Sequence, residues 1–248
     1  MIAVCGKGGV GKTSISAAMV KILTRDRQKR VLAIDADPAV GLASALGIAA
    51  EKTVDDIRNR LIQRLGQGKA GDRQSVVSRL DYEVLEALIE HGNLAFLAIG
   101  RPEKEGCYCQ VNHILKDIIA SVAGHFDYVV IDGEAGIEQV NRRVMEKVSH
   151  LVLVADPSAK ALRVAQTIQQ VAREAVNYRR SGLIINRCQN GKEIEDIAIP
   201  ETLQYLGWVP EDDVIRICDI EGRSILGIPD CAALVAVESC LLTLMASS

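Results

Sequence analysis

Two lysines, Lys7 and Lys12, stand among glycines in the run Gly6-Lys7-Gly8-Gly9-Val10-Gly11-Lys12-Thr13, close to the start of a 248-residue chain. The chemistry this spacing serves is the grip on a triphosphate. Glycines let successive backbone N–H groups close on phosphate oxygens, Lys12 reaches the β- and γ-phosphates, and the Thr13 hydroxyl is offered to Mg²⁺. Gly8, Gly9, Val10, Gly11, Lys12, Thr13 and Ser14 are therefore the candidate contacts to a nucleotide. The local context fits, because Ile2-Ala3-Val4-Cys5 reads as a short buried strand and Ser14–Leu23 as a helix whose N-terminus faces the phosphates.

Carboxylates and thiols follow at comparable places. Asp35-Ala36-Asp37-Pro38 ends the apolar run Val31–Ile34, and an acid beside phosphates needs a reason: it holds Mg²⁺ through water or orients an attacking water. Asp37 is the candidate for that role, set against a helix-capping aspartate, and Asp35 reads as a supporting group. Asp132 closes the run Tyr128–Ile131 as a carboxylate that would bind Mg²⁺ through water. The segment Gly133–Glu138 after it could let a backbone N–H sense the γ-phosphate. Cys107-Tyr108-Cys109 precedes a helical run, Val111–Val122. In an extended segment its two thiols would point the same way, and the nearby helix N-terminus would favour thiolate.

The elements that must position these groups alternate. Apolar runs at Val31–Ile34, Leu94–Ile99, Tyr128–Ile131, Leu151–Val154 and Leu183–Ile185 are apolar on both faces, as in a sheet covered by helices. The fold expected is α/β, a doubly wound, mostly parallel sheet with helices on both faces, of the P-loop NTPase kind, with ligands at the carboxyl ends of the strands. We expect one domain over residues 1–248, with a helical insertion at about 51–92. That insertion would hold helices near Val54–Leu65 and Val76–Ile89 joined by the link Gly66–Gly71. Asp230–Met245 reads as a closing helix. The composition, 48% hydrophobic and 25% charged with a net charge of −3, offers no global attraction to nucleic acid or an anionic membrane. Aromatics at 3% give few stacking platforms for single strands. No signal-like segment precedes Ile2 and no apolar run reaches membrane-span length, so a cytoplasmic location is expected, where seven cysteines would be reduced thiols or metal ligands.

Lys7, directly after the first glycine and before a glycine pair, makes the loop resemble the deviant Walker A of the dimeric ATPases that include MinD, ParA, ArsA and the nitrogenase iron protein. The resemblance implies a homodimeric ATP hydrolase in which Lys7 reaches the partner's nucleotide, and Lys7, Lys12, Asp37 and Asp132 form the catalytic set with Asp37 placing the hydrolytic water. It also implies that Asn186 and Arg187 read the adenine edge, with Pro210, Glu211 and Asp212 on the other side of the base. With Cys107-Tyr108-Cys109 and the segment Glu134-Ala135-Gly136-Ile137-Glu138, the chain resembles the CooC-type ATPases that support nickel insertion into carbon monoxide dehydrogenase. By that resemblance the cofactors are ATP/ADP and Mg²⁺, with Ni²⁺ or Zn²⁺ held between subunits by Cys107 and Cys109 of both copies. The client would be a carbon monoxide dehydrogenase-type nickel enzyme. A nitrogenase-iron-protein-like reductase and a MinD/ParA-like positioning ATPase are the alternatives. The first draws a second cysteine from the switch II region, and Asp132–Arg143 has none. The second uses a basic C-terminal helix for membrane targeting, and Pro229–Ser248 has no Lys or Arg.

Overall fold

The phosphate loop sits where a central strand hands over to a helix. The computed structural model describes residues 1–67, 73–100, 109–133, 144, 147–175, 177–195 and 197–246. The strands are β1 (Ile2–Gly6), β2 (Val31–Asp35), β3 (Ile89–His91), β4 (Leu94–Ala98), β5 (Tyr128–Asp132), β6 (Lys147–Ala155), β7 (Asn177–Cys188) and β8 (Tyr205–Pro210). They form one eight-stranded sheet in the order β3-β4-β2-β5-β1-β6-β7-β8. Every pairing is parallel except β3 with β4. The helices are α1 (Lys12–Leu23), α2 (Gly41–Leu46), α3 (Val54–Gly66), α4 (Arg73–Ala87), α5 (Cys109–Ala123), α6 (Ala159–Ala175), α7 (Lys192–Glu195), α8 (Asp213–Glu221) and α9 (Ala232–Ala246), with a 3₁₀ turn at Ile225–Gly227.

Burial explains the central strands. Every residue of β1, β2 and β4 is buried, which is why they read as unbroken apolar runs rather than alternating ones. Their carboxyl ends share one edge of the sheet. In register, Asp35 faces Asp132 across β2–β5, and Gly6 faces Val154 across β1–β6. A Cβ on Gly6 would stand 2.2 Å from the Val154 carbonyl oxygen, so only glycine lets the chain leave β1 at that point.

The expected architecture holds, and its edges show what patterning did not reveal. The helix expected over Val76–Ile89 ends at Ala87, and Ile89 starts the antiparallel strand β3, which turns through Gly92 (φ 65°) into β4. Three residues are too few for a period to register, and Leu88-Ile89 extend the helical one. Strand β8 was not anticipated, since its sequence contains Gly207 and Pro210; both are tolerated at a sheet edge. A Cβ at Gly207 would come within 2.8 Å of Cys240 Sγ, so the glycine lets α9 lie close on β8. Cys109 is a second correction. It is the first residue of α5 rather than part of an extended segment, so the same-face argument from strand geometry does not apply to it. The link residues 68–71, Cys107, Tyr108 and the Glu134–Glu138 segment lie outside the described residues.

The basic run Arg25–Arg30 lies largely exposed at the surface, where its charges are ion-paired. Arg25 contacts Asp230 and Glu238, Lys29 contacts Asp127 at 3.0 Å, and Arg30 contacts Glu90 while lying over the Phe126 ring. Nearby, Lys21 Nζ donates to the carbonyls of Leu226 and Ile228 at 2.8 and 2.7 Å, and Ser224 Oγ donates to the Leu46 carbonyl at 2.7 Å. The stretch after α8 is thereby fastened to α1 and α2. Lys21→Met leaves two carbonyls without that donor while keeping the stem's length, and should lower stability by about 1–2 kcal/mol in urea unfolding; an unchanged midpoint would show the fastening to be energetically idle.

Candidate functional site

The loop's shape follows from its residue types. Gly9 and Gly11 adopt φ of 85° and 89°, the left-handed region that glycine enters without penalty. Gly11 is constrained twice, because a Cβ there would lie 2.4 Å from Asn186 Nδ2. Val10 is fully buried and anchors the loop from below. Two side chains from the end of β7 clamp it from outside: Asn186 Nδ2 donates to the Val10 carbonyl and Arg187 Nη1 to the Gly9 carbonyl, both at 2.8 Å. Arg187 itself takes φ 62°, a conformation that costs on the order of 1 kcal/mol or more and that the clamp holds in place. With two carbonyls turned outward to these donors, the loop is held by bonds to β7 as well as by its own geometry.

Lys12 is 8% exposed and Nζ reaches the Lys7 carbonyl at 3.4 Å, a long contact. Lys7 is half-buried, and Gly8 and Gly9 are exposed. Thr13 and Ser14 are half-buried at the first turn of α1, and a Cβ on Gly41 would be 3.5 Å from Thr13 Cγ2, so the start of α2 packs directly against the Thr13 side of the phosphate loop.

Asp35 and Asp132 sit side by side at 0% and 1% exposure. Asp35 accepts hydrogen bonds from the backbone N–H groups of Asp37, Leu42 and Ala43 at 3.1, 2.8 and 3.3 Å, and so ties the β2–α2 loop to the sheet. That is the supporting role expected of it. Burial, and then the charge of Asp132, pushes Asp35 up to about 7 against the pull of these donors. Burial likewise pushes Asp132 up to about 6, against the Thr13 and Ser16 hydroxyls and the charge of Lys12. Asp132 Oδ1 accepts from Ser16 Oγ at 3.0 Å, whereas Oδ2 is buried with no hydrogen-bond partner among the described residues. An orphaned carboxylate oxygen beside a threonine hydroxyl is a hard oxygen set that fits Mg²⁺. Asp37 is half-buried, and its Oδ1 accepts from the Ala39 N–H at 2.9 Å. This turn aims the loop and leaves the other carboxylate oxygen for further contacts.

A cavity of about 290 Å³ opens beside the loop, lined by Ser14, Ile15, Ala18, Asn186, Arg187, Pro210, Glu211 and Asp212 with residues of α8 and α9. Residues far apart in sequence, Asn186-Arg187 and Pro210–Asp212, are brought together there as expected. Asp212 has a structural duty as well: it caps α8 by accepting from the Val214 N–H at 2.9 Å, and it accepts from the Ala233 N–H at 3.0 Å. Burial alone would raise its pKa, but these donors outweigh it and hold the carboxyl below its usual value. Ile215, Arg216 and Asp219 on α8 line the same cavity. Sequence reading missed them, and only the capping aspartate before an amphipathic segment signalled their helix.

Among the described residues no group of three or more His, Cys, Asp or Glu is placed to hold a metal ion. Cys5, Cys188, Cys218, Cys231 and Cys240 are free. Burial pushes the Cys5 thiol up to about 12 and those of Cys188 and Cys240 up to about 11, so they stay protonated at neutral pH. Cys107 and the Cys109 side chain lie outside the described residues. No helix among the described residues is long and apolar enough to cross a membrane.

This geometry agrees with what comparison finds. The chain belongs to the CobQ/CobB/MinD/ParA nucleotide binding domain family, whose profile matches residues 1–225, and it is an ATPase of that family. An uncharacterized ATP-binding protein of Methanocaldococcus jannaschii is 34% identical over 233 residues, covering 93% of this chain and 92% of that protein. The carbon monoxide dehydrogenase accessory protein CooC of Rhodospirillum rubrum is 30% identical, covering 90% of this chain and 88% of its own length. Among solved structures, the MinD cell division protein of Aquifex aeolicus superposes with a TM-score of 0.68 at 21% identity, covering 100% of this chain and 97% of that one, a likeness of fold.

The raised carboxylates give a prediction with a definite sign. Folded-state pKa values above the unfolded value mean that the folded protein holds protons more tightly, so this contribution is fully present below about pH 4 and is lost as pH rises through about 6–7. Asp132→Asn keeps the Ser16 bond and removes the charge. Without nucleotide it should be more stable than wild type at pH 8, by on the order of 1–3 kcal/mol, with the gap closing toward pH 5. Melting curves across pH check this; a variant less stable than wild type at pH 8 would contradict the buried-charge account.

Proposed function

We propose that this protein is a homodimeric ATPase that acts as a metallochaperone, coupling ATP binding and hydrolysis to delivery of nickel to a carbon monoxide dehydrogenase-type metalloenzyme. In this reading residues 1–248 form one ATPase domain with an insertion at about 51–92. Gly8–Ser14 hold the phosphates, and Thr13 and Asp132 hold Mg²⁺, which neutralises phosphate charge when bound. Asn186, Arg187 and Pro210–Asp212 enclose the base. Asp37 orients the water, and Lys7 acts on the nucleotide of the second copy. Cys107 and Cys109 of two copies supply four thiolates, a tetrahedral set for Ni²⁺ or Zn²⁺.

The observation that carries this reading is the place of Cys109. It opens α5, which follows β4, and the carboxyl end of β4 lies on the sheet edge that also bears Gly6, Asp35 and Asp132. Cys109 thus begins the helix that follows a strand ending on the nucleotide side of the sheet, and in this reading a dimer closing over the nucleotides brings the cysteines of both copies together. The relation to CooC over nine-tenths of the chain supports the same assignment. A MinD-like positioning role is the second reading, supported by the fold. The amphipathic basic helix that such a role would use is not α9, which carries no Lys or Arg.

Two measurements test the proposal. Lys7→Ala should lower ATP turnover about 100-fold or more while leaving ADP affinity within severalfold, as for a cation that acts on the transition state; equal turnover would remove Lys7 from catalysis. Cys107→Ala with Cys109→Ala should abolish stoichiometric metal binding in anaerobically purified protein while ATP still binds. Metal retained at the wild-type ratio, or ATP-dependent binding to anionic vesicles without metal, would favour the positioning role.

A further inference from the structure

An ammonium and a carboxylate lie buried at neighbouring places and do not meet. Lys12 is 8% exposed and Asp132 is 1% exposed, and the charge of Lys12 acts on the acid. Yet Lys12 Nζ turns to the Lys7 carbonyl in a long contact of 3.4 Å, while Asp132 Oδ2 has no hydrogen-bond partner among the described residues. Opposite charges in a corner with little water attract strongly, and each is costly there without a partner. Some restraint therefore keeps the pair open.

Ser16 supplies that restraint. It is 0% exposed and sits in α1 four residues after Lys12, on the same helix face. A serine inside a helix is a weaker helix former than alanine and often bonds back to the carbonyl one turn earlier. This one instead commits its single proton to Asp132 Oδ1 at 3.0 Å, across 116 positions of sequence. The bond fixes one oxygen and with it the plane of the carboxylate. For Oδ2 to swing onto Lys12 that bond must break, which leaves a buried hydroxyl without an acceptor. Thr13 also acts on Asp132, but its hydroxyl is assigned to Mg²⁺ above, whereas Ser16 is shut away from solvent and has no ligand to serve.

We propose that Ser16 is a positioning residue that holds Asp132 off Lys12 before nucleotide binds, so that Oδ2 remains for Mg²⁺ and the ammonium remains for the phosphates. The inference rests on the phosphate and Mg²⁺ roles assigned above and is independent of nickel delivery. Without Ser16 the acid closes onto Lys12, and an incoming phosphate must first displace a buried ion pair.

The test uses the full chain and two binding measurements: ADP affinity by calorimetry with Mg²⁺ removed by a chelator, and Mn²⁺ affinity of the ADP-loaded protein by electron paramagnetic resonance. Ser16→Ala should weaken ADP about tenfold without the metal, because Lys12 is captured, and should weaken Mn²⁺ about tenfold, because Asp132 is turned away. The Asp132→Asn background separates positioning from packing. No anion is left there to capture Lys12, so adding Ser16→Ala should change ADP affinity by less than about twofold, whereas a serine that only packs the helix would cost the same in both backgrounds. Wild-type ADP and Mn²⁺ affinities in Ser16→Ala, or an equal loss of ADP affinity in both backgrounds, would overturn the proposal. If Ser16→Ala does not fold, Ser16→Cys, which keeps a side chain of similar shape but only a weak donor, is carried through the same cycle with the same outcomes deciding. Wild-type protein that binds neither ADP nor Mn²⁺ with it rejects the nucleotide and Mg²⁺ assignments themselves, a result distinct from wild-type binding that Ser16 does not affect.

Discussion

Two carboxylates held side by side out of water are the constraint on which the rest of this site depends. Asp35 and Asp132 end neighbouring strands in register, both nearly inaccessible. Desolvation pushes both toward the neutral form, helped by the charge of Asp132 at Asp35 and by that of Asp37 at Asp132. Nothing in strand geometry requires such a pair. It is an arrangement poised for a cation, and the nearby groups suit one: the Thr13 and Ser16 hydroxyls and the Lys12 ammonium all act on Asp132. A divalent cation with bound phosphate would offset that clustered negative charge, the electrostatic role metal ions play in phosphoryl chemistry.

The same pair is hydrogen-bonded into the loops around it. Asp35 spends its hydrogen-bonding capacity on the backbone of the β2–α2 loop and the start of α2, so the loop carrying Asp37 is tied to a buried carboxylate that also feels the charge of Asp132. From α2 the connection continues through Ser224, bonded to the Leu46 carbonyl, to the segment after α8, a helix that also lines the cavity beside Asn186. The acids at the strand ends are thus joined to a chain of packed and hydrogen-bonded elements rather than to a free loop.

Much of this was legible in residue order. A glycine-rich loop between an apolar strand and a helix is a local feature, and Gly9 and Gly11 take the backbone angles that their lack of a Cβ permits. Strand-terminal acids were legible for the same reason: Asp35 and Asp132 each follow an unbroken apolar run. Elements whose identity depends on distant neighbours were not. β8 holds its place because α9 packs close over Gly207 and β7 runs alongside, and β3 exists only as the return leg of a hairpin with β4. Cys109 was assigned to an extended segment, yet the helical bonding of α5 reaches it.

The sequence by itself determined the phosphate loop, the central apolar strands with the helices between them, and the acids at the strand ends, since each is set by neighbours within a few residues. Only the tertiary structure decided that Asn186 and Arg187 clamp the loop by its carbonyls, that Asp35 and Asp132 share one buried corner, and that Arg58 meets the first turn of α5. Those contacts join residues from 54 to 178 positions apart. No periodicity encodes them, because they depend on which strands lie side by side and on how much water is left between them.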